Sequence, residues 1–444
     1  MKDKKLNTFK KNLAKLIKFK SISTDSKYKT EMLRTVKVLR KLFSDSGFKT
    51  RILKGKTTNP YVFAEYRVGK DRKTVLVYGH YYVMPSGSLE EWIAEPFALT
   101  ERNGRLYGRG VIDNKGQFVV HLTAISDLIS SRKLKYNVKF LLEGNEETGN
   151  VEIEQVIQNN RSLLSCDYVL VSDGELTNNK PTIEAGFRGG INLTVRYKTG
   201  KGDVHSGLYG GSVPNAAHEI SSLVAKFYSS DNKVKIPGFY EGVDKVTLGE
   251  LKNNKALKFS KKKLCKLTGI RALKCERDTD YFTQTGLRPM LTVSGMLSGY
   301  TGEGYNNIVP SCAEVRVNFR FVASQNPKNI VNSFKKFVKR NTPKYVDYEI
   351  NETASWKALK IDITSNAVRK AKNILEKSYG EKAVFRFVGG SIPVIGFFKN
   401  LLTDDVISIP FANEDCNMHG VNENFRFNLI KKALNFSESF FSNE

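Results

Sequence analysis

Apolar residues recur at helical spacing in two segments near the start of the chain. The first face is formed by Leu6, Phe9, Leu13, Leu16 and Ile17, and the second by Met32, Val36, Leu39 and Phe43. Each set lies on one side of a helix with 3.6 residues per turn, so the pattern predicts two amphipathic helices. Gly47 follows the second set, and we expect it to cap the end of that helix.

Three short apolar runs follow, at residues 75–78, 138–142 and 168–171. They are rich in β-branched residues, continuous rather than alternating, and separated by segments of helix length, which is typical of parallel strands buried on both faces. Each run ends in polar, ionisable residues: His80 after the first, 143–147 after the second, and Asp173 after the third. Sites in open α/β sheets form beyond the carboxyl ends of the strands, so the pattern indicates one site there.

The pattern changes after Gly190, where INLTVRYKTG alternates apolar and polar residues as a half-exposed antiparallel strand does. Helical stretches follow from about Asn215 and in the Lys-rich segment 251–275, then two further strands. The helix-then-strand rhythm returns from about Lys357. We therefore expect an α/β domain of residues 1–188 and 357–444, interrupted by an inserted α+β domain of residues 189–356.

Composition favours a soluble, globular, cytoplasmic protein. Of 444 residues, 40% are hydrophobic and 26% charged. No run approaches the ~20 apolar residues of a membrane span, and the charged N-terminal segment lacks the apolar core of a signal peptide. The five cysteines form no CxxC pair, which favours reduced thiols in a cytoplasm.

The net charge of +26 permits two interpretations. A strongly basic chain can bind nucleic acid or another anionic partner. However, the lysines are spread over the chain without an Arg-rich stripe or interleaved aromatic residues. We favour a Lys-rich solvated surface, so nucleic-acid binding is not expected.

Candidate metal ligands lie at intervals along the whole chain, which has five histidines. They are His80, Asp113 in YGRGVIDNKGQ, Glu146 and Glu147 in VKFLLEGNEETGN, Asp173 in DYVLVSDG, and His419 in ANEDCNMHGVNENF. Metal sites use His, Asp and Glu on rigid strand ends, and a two-metal site needs carboxylates to neutralise its charge. Each residue alone has an ordinary explanation as a turn, a helix cap or a solvated face, so their joint occurrence carries the hypothesis.

These segments, in this order, resemble the M20 family of metallopeptidases, especially its carnosinase-like dipeptidase branch. The resemblance implies a phosphorylase/hydrolase-like two-metal catalytic domain with a mixed sheet, and an inserted α+β lid that mediates dimerisation. The implied ligands are His80, Asp113, Glu147, Asp173 and His419, with Glu146 as the general base that activates a metal-bridging water. Two divalent ions are implied; His and carboxylate ligands favour zinc and leave manganese or cobalt open.

The inserted section carries matches of its own. GDVHSGLYGG resembles the segment whose His, here His205, reaches the active site of the partner subunit in a homodimer and binds the developing oxyanion. NNIVPSCAEVRVNFR implies Arg320 as the ligand of the substrate carboxylate, with Asn307 contacting substrate. RFVGGSIPVIGFF implies Gly390 and Ser391 at the substrate's C-terminal end, although a tight turn would also explain its glycines. The remaining candidates are interpreted as ordinary helix residues, His121 and His218, and as surface or loop charges, Arg316 and Arg386.

One departure from the family pattern affects the first motif, which runs His-x-Asp in the family. Here it reads His80-Tyr81-Tyr82, so Tyr82 replaces an Asp that accepts the second imidazole N–H of the ligand. Loss of such a partner typically costs ~10 to 100-fold in metal affinity or activity. Because the implied ligands and Glu146 are all present, we favour a working or weakened enzyme.

The resemblance implies a metallo-dipeptidase that cleaves dipeptides or short peptides with a free C-terminal carboxylate. An amidohydrolase that removes the acyl group from an N-acyl amino acid is the alternative enzyme. A non-catalytic relative acting as a binding protein is the alternative outside enzymes, motivated by Tyr82 and the basic charge.

Overall fold

The computed structural model describes residues 2–146, 150, 152–353, 355–390 and 392–443. The chain divides into two compact units. Unit 1 comprises Met1–Ala185, Ile361–Arg386 and Val394–Glu444, and unit 2 comprises Gly186–Lys360 and Phe387–Pro393. The predicted domain boundaries lie within a few residues of the points at which the chain first passes from unit 1 to unit 2 and then returns to unit 1. The inclusion of residues 387–393 in unit 2 was not predicted.

The described residues form helices and strands in alternation through most of the chain. The helices are α1 Lys2–Ile17, α2 Lys29–Asp45, α3 Lys115–Ser130, α4 Ile153–Asn159, α5 Arg161–Leu164, α6 Ser206–Tyr209, α7 Ala216–Ala225, α8 Leu248–Ala256, α9 Lys261–Thr268, α10 Tyr281–Leu287, α11 Pro327–Asn341, α12 Asn366–Tyr379, α13 Pro393–Leu401 and α14 Phe427–Ser442. The strands are β1 Lys49–Leu53, β2 Tyr61–Tyr66, β3 Thr74–His80, β4 Thr100–Arg102, β5 Arg105–Tyr107, β6 Asn137–Glu143, β7 Tyr168–Val171, β8 Thr182–Phe187, β9 Gly189–Lys198, β10 Val204–His205, β11 Met290–Ser298, β12 Ile308–Val309, β13 Cys312–Phe321, β14 Asp347–Glu352, β15 Leu359–Lys360, β16 Val384–Val388, β17 Val406–Ser408 and β18 Asn424–Arg426.

Unit 1 is built on a mixed six-stranded sheet in the order β1-β2-β6-β3-β7-β17. The three predicted buried strands are β3, β6 and β7; they are adjacent, parallel and almost wholly buried, which confirms the prediction from their continuous apolar runs. β17 extends the parallel part beside β7, while β1 and β2 pair antiparallel at the other edge. The carboxyl ends of four neighbouring parallel strands therefore lie along one edge of the sheet.

Helices cover this sheet and bury the apolar faces predicted from the sequence. Phe9, Leu13 and Leu16 of α1 are fully buried, and α1 packs against α3 and α14. α3 is buried along most of its length and packs against β3, directly behind the strand that ends in His80. α2 packs against β1 and β2 and ends before Gly47, whose φ of 89° is the left-handed conformation expected of a C-terminal cap.

Unit 2 contains an antiparallel sheet in the order β11-β13-β9-β14. β9 alternates buried and exposed residues as predicted, and its buried face packs on α7 and α11 through a continuous apolar core. The Lys-rich segment is less helical than expected, because α9 ends at Thr268 and the next residue, Gly269, adopts a φ of 73° that terminates the helix. Within the described part of the chain, every helix is too short or too polar to traverse a bilayer.

Candidate metal centre

The ends of β3 and β7 bring the first two candidate ligands together. His80 is the last residue of β3, and Asp173 follows β7 by two residues. The strands are parallel neighbours paired from Val75 with Tyr168 to Tyr78 with Val171, so their ends meet at one edge. The His80 Nε2 to Asp173 Oδ2 distance is 3.6 Å.

Asp113 completes a buried cluster with these two residues. Its Oδ1 lies 3.0 Å from His80 Nε2, and one ligand atom from each of His80, Asp113 and Asp173 lies within 4.8 Å of the others. Asp113 precedes α3, in the glycine-containing segment YGRGVIDNKGQ. The segment thus places the Asp113 carboxylate beside the carboxyl ends of β3 and β7.

His419 approaches Asp113 from its other side. His419 Nε2 lies 2.8 Å from Asp113 Oδ2, so each carboxylate oxygen of Asp113 faces a different imidazole. His419 lies in the loop between β17 and β18 with a φ of 62°, an uncommon conformation for a residue with a side chain. His80, Asp113 and His419 are therefore three adjacent side chains of the kinds that ligate divalent ions.

The electrostatics of the cluster favour a cation. Burial alone lowers the pKa of His80, but hydrogen bonding to Asp113 and the charges of Asp113, Asp173 and Glu146 outweigh it and raise the pKa to about 10. The pKa of Asp113 is depressed well below its usual range; its burial acts in the opposite direction but is outweighed by His419 and His80. Divalent ions would replace the protons that these groups share, and two imidazoles with carboxylates form a donor set that suits zinc.

Glu146 lies close enough to the cluster to interact electrostatically with it. Burial raises the pKa of its carboxyl to about 8; the charges of Asp173, Glu143 and Asp113 act in the same direction and His80 opposes them. A carboxyl with a raised pKa is suited to accept and return a proton near neutral pH. The predicted ligand Glu147 lies outside the described residues.

The contact that replaces the missing Asp of the first motif comes from the main chain. His80 Nδ1 lies 3.3 Å from the carbonyl oxygen of Tyr82, and the two rings stack with centroids 4.6 Å apart. A carbonyl accepts the Nδ1 proton and so orients Nε2 towards the carboxylates, as an Asp would, but without a charge. Ser21 fixes this segment, since its carbonyl accepts from Val83 N at 2.8 Å and its hydroxyl donates to Tyr81 O at 2.9 Å.

Asn114 and His121 connect the ligand-bearing strand ends, and neither was predicted as a site residue. The Asn114 side chain accepts from His80 N at 3.4 Å and donates to Ser172 O at 2.8 Å, beside Asp173. His121 lies in a helix as predicted, but it is fully buried and its Nε2 lies 2.9 Å from the Ser172 hydroxyl. Burial lowers the pKa of His121 to about 3, so it remains a neutral hydrogen-bonding group.

A buried Arg109–Glu423 pair joins the two loops that carry Asp113 and His419. The Glu423 carboxylate accepts from Arg109 Nη1 at 2.8 Å and from the backbone N–H groups of Gly110, Ile112 and Asp113 at 2.8, 2.9 and 3.1 Å. Arg109 Nη2 in turn donates to the carbonyls of His419 and Gly420. Arg109 lies inside the Gly-rich motif and Glu423 four residues after His419, but nothing in the sequence connects the two.

His205 and Asn307 are neighbours in unit 2. β10 pairs with β12, which places His205 opposite Ile308, and Ser206 N donates to Asn307 O at 2.9 Å. His205 Nδ1 accepts from Gly207 N at 3.0 Å, so the neutral ring carries its proton on Nε2. Both His205 and Asn307 are exposed.

Arg320 is half-buried in unit 2 beside an aromatic ring. Its guanidinium lies 5.1 Å from the Trp356 ring centroid, and burial lowers its pKa. Gly190 makes room for this ring, since a Cβ there would lie 2.4 Å from Trp356 Cζ2. Gly390 is exposed in the same unit, and the predicted substrate ligand Ser391 lies outside the described residues.

Similar proteins are known both as sequences and as structures. A cysteinylglycine-S-conjugate dipeptidase of Corynebacterium striatum is 30% identical over 80% of this chain and 77% of its own length. A β-Ala-His dipeptidase of Mus musculus is 26% identical over 86% of this chain and 79% of its own. The crystal structure of an M20 family metallo-carboxypeptidase from Sulfolobus solfataricus has 29% identity and a TM-score of 0.87, covering 99% of this chain and 98% of that one.

The family profile agrees with these individual similarities. Residues 76–443 match peptidase family M20/M25/M40, a range that begins within β3 and contains all the candidate ligands. The match covers most of the sequence and both structural units. This chain is a member of peptidase family M20/M25/M40.

Proposed function

We propose that this protein is a metal-dependent dipeptidase that hydrolyses dipeptides or short peptides with a free C-terminal carboxylate. The observation that carries the proposal is the Asp113 carboxylate, with one oxygen facing His80 and the other facing His419. Relatives named as dipeptidases support the choice of reaction within the family.

The proposed ligands are His80, Asp113, Glu147, Asp173 and His419. Two divalent ions held there, most simply zinc, would polarise the scissile carbonyl and lower the pKa of a water molecule. Glu146 accepts the proton of that water and then passes it to the departing amine. Its raised pKa supports the second transfer, because a carboxyl with an ordinary pKa would be almost fully deprotonated near neutral pH and would carry no proton to the amine.

Residues outside the candidate metal cluster supply recognition in this proposal. Arg320 forms a bidentate pair with the substrate carboxylate, and its half-buried position beside Trp356 strengthens that pair by excluding water. Asn307, Gly390 and Ser391 contact the rest of the substrate. A cytoplasmic location stays a prediction, supported by five cysteines that are all free.

A panel of substrates tests the proposed reaction. Purified protein loaded with zinc, and separately with manganese or cobalt, is expected to hydrolyse dipeptides with a free carboxylate. Amidating the dipeptide's C-terminus should reduce kcat/KM by about 10 to 100-fold, since a charged hydrogen bond contributes about 1.5–3 kcal/mol. Hydrolysis of N-acyl amino acids alone would contradict the proposal, as would the absence of turnover on every substrate; amine release with ninhydrin measures both.

We further propose that the protein works as a homodimer in which His205 serves the partner's active site. His205 is exposed and, with Nδ1 accepting from Gly207, presents its Nε2 proton as a donor for a developing oxyanion. Leu208 and Tyr209 follow it with 76% and 47% of their surface exposed, and two adjacent exposed apolar side chains suit a contact surface.

Mixing two inactive variants tests this arrangement. Glu146→Gln and His205→Ala should each be inactive, while their mixed dimers combine one intact Glu146 with one intact His205 from the partner. Statistical exchange in a two-fold dimer restores about a quarter of the sites. Activity measured after dissociation and reassociation should rise to that fraction; a mixture that stays inactive although mass spectrometry detects mixed dimers would contradict a role in trans.

A further inference from the structure

The segment that carries Glu146 is held by a second loop that has no role in the reaction proposed above. Residues 144–152 follow β6 and lead into α4, and residues 54–60 connect β1 with β2. Four described positions of the first segment or its flanks contact the second loop or the strand that follows it: Gly144, Asn145, Asn150 and Glu152.

Glu152 provides the most extensive contact. Its carboxylate accepts hydrogen bonds from the hydroxyls of Thr57 and Thr58 at 2.9 and 2.8 Å, and from their backbone N–H groups at 3.0 and 3.2 Å. These bonds lower the pKa of Glu152 to about 2, with the Thr58 hydroxyl as the largest cause. Glu152 stands at the N-cap of α4 but its side chain makes no cap hydrogen bond, so it is directed to the neighbouring loop instead.

Asn59 holds the other end of the segment. Asn145 Oδ1 accepts from both the backbone N and the Nδ2 of Asn59, at 2.7 and 2.9 Å. Asn59 Nδ2 also lies 3.2 Å from Gly144 O. Asn145 directly precedes Glu146, so this contact fixes the main chain one residue from the proposed base.

Two glycines make this close approach possible. A Cβ at Gly55 would lie 2.1 Å from Glu152 Oε2, in the space that the carboxylate occupies. A Cβ at Gly144 would lie 2.7 Å from Asn59 Cβ and 2.6 Å from the Tyr81 hydroxyl. The close packing at both positions indicates that the two loops are built to fit each other.

Asn150 connects the segment to the sheet between these two ends. Tyr61 donates its hydroxyl to Asn150 Oδ1 at 2.9 Å, and Asn150 Nδ2 donates to the buried carboxylate of Glu143 at the end of β6. Tyr78 of β3 donates to the same carboxylate. The described residues of the segment are therefore held before and after Glu146, and also at the end of β6, the strand that precedes the segment.

We propose that the loop of residues 54–60 is a clamp that positions Glu146 for proton transfer, with Thr57, Thr58, Asn59 and Glu152 as positioning residues. The inference rests on the proposed function for its catalytic consequence, whereas the clamp itself consists of the contacts that Gly144, Asn145 and Glu152 make with the loop of residues 54–60. A general base must lie within hydrogen-bond reach of the proton it accepts, and a displacement of ~1 Å can cost on the order of 100-fold in rate. The clamp removes that freedom at Asn145 and Glu152, described residues that precede and follow Glu146.

The test removes the hydroxyl donors without changing the shape of the loop. The double variant Thr57→Val, Thr58→Val keeps the side-chain volume and the backbone donors, and Thr57 is exposed, so the fold is expected to survive. We expect kcat on a dipeptide to fall about 10-fold with KM within about twofold, because the base is displaced while substrate binding is retained. The double variant Thr57→Ser, Thr58→Ser restores the hydroxyls and should restore kcat.

Hydrogen exchange of the metal-free protein provides a readout that does not depend on activity. Amides between residues 143 and 153 should exchange faster in the valine variant and in Glu152→Gln than in wild type. Glu154→Gln, the same change at an exposed position of α4, is the matched control and should leave exchange and kcat unchanged. Unchanged exchange in the valine variant would overturn the clamp. Faster exchange with an unchanged kcat would overturn it as well, because the base would then not depend on the clamp. An inactive wild type would overturn the proposed function, and hydrogen exchange would still decide whether the clamp exists.

Discussion

Replacing Glu146 by glutamine is expected to lower kcat by about 10² to 10⁴-fold while the protein keeps its metal ions, since general acid–base catalysis contributes that much. Glutamine has the shape of glutamate, so binding of substrate should change little. It cannot accept a proton from water, so the proton transfer is lost. The raised pKa of Glu146 reflects a partly buried carboxyl among the negative charges of Asp173, Glu143 and Asp113. Steady-state kinetics and metal analysis of the same preparation measure both quantities.

A neighbouring substitution separates the base from the ligands. Glu147→Gln should lose metal together with activity, because glutamine is a weaker ligand than a carboxylate, whereas Glu146→Gln should lose activity alone. Glu154→Gln serves as the control for removing one negative charge nearby. Equal metal loss in the two variants, or a Glu146→Gln enzyme with more than about a tenth of wild-type kcat, would contradict the assignment of the base.

The part of the fold that follows from local pattern was predictable. The continuous apolar runs gave β3, β6 and β7 as buried parallel strands, and the alternating INLTVRYKTG gave β9 as a half-exposed antiparallel strand. The Lys-rich segment was less predictable, because lysine favours helices anywhere and a single glycine at 269 ends α9. Inclusion of residues 387–393 in unit 2 depends on tertiary contacts that no local pattern records.

In the site, too, local pattern predicts some features and tertiary structure decides the others. His80 and Asp173 could be expected to meet because they follow parallel strands, and Asp113 joins them in the structure. The Tyr82 carbonyl could not be inferred as the partner of His80 Nδ1, since every residue has a carbonyl and its direction depends on the fold. Arg109 and Glu423 lie 314 positions apart, and their pairing follows only from the completed structure.

The basic composition of the chain says less about metal binding than the acidic residues around His80 do. The net charge of +26 belongs to the whole chain, whereas Asp113 and Asp173 lie beside one buried imidazole at the sheet edge and Glu146 interacts with it electrostatically. A local excess of carboxylates attracts cations whatever the net charge, because interactions at the surface are screened within ~8–10 Å at physiological ionic strength and buried ones are not. The composition therefore did not indicate the site, and the positions of a few acidic residues did.

Glu423→Gln is expected to destabilise the metal-free protein by about 3–5 kcal/mol, because it leaves the guanidinium of Arg109 buried without its counter-ion. The amide can accept from fewer of the four donors that face the carboxylate, so the loops carrying Asp113 and His419 lose their common anchor and metal affinity should fall as well. Thermal unfolding and chelator competition measure these effects, and Arg109→Lys, which keeps the charge but not the fork of donors, should show a smaller loss of both. Glu101→Gln removes the same charge from a surface pair with Lys10 and should cost less than about 1 kcal/mol. A Glu423→Gln protein as stable and as metal-avid as the Glu101→Gln control would show that the buried pair does not hold the two ligand loops.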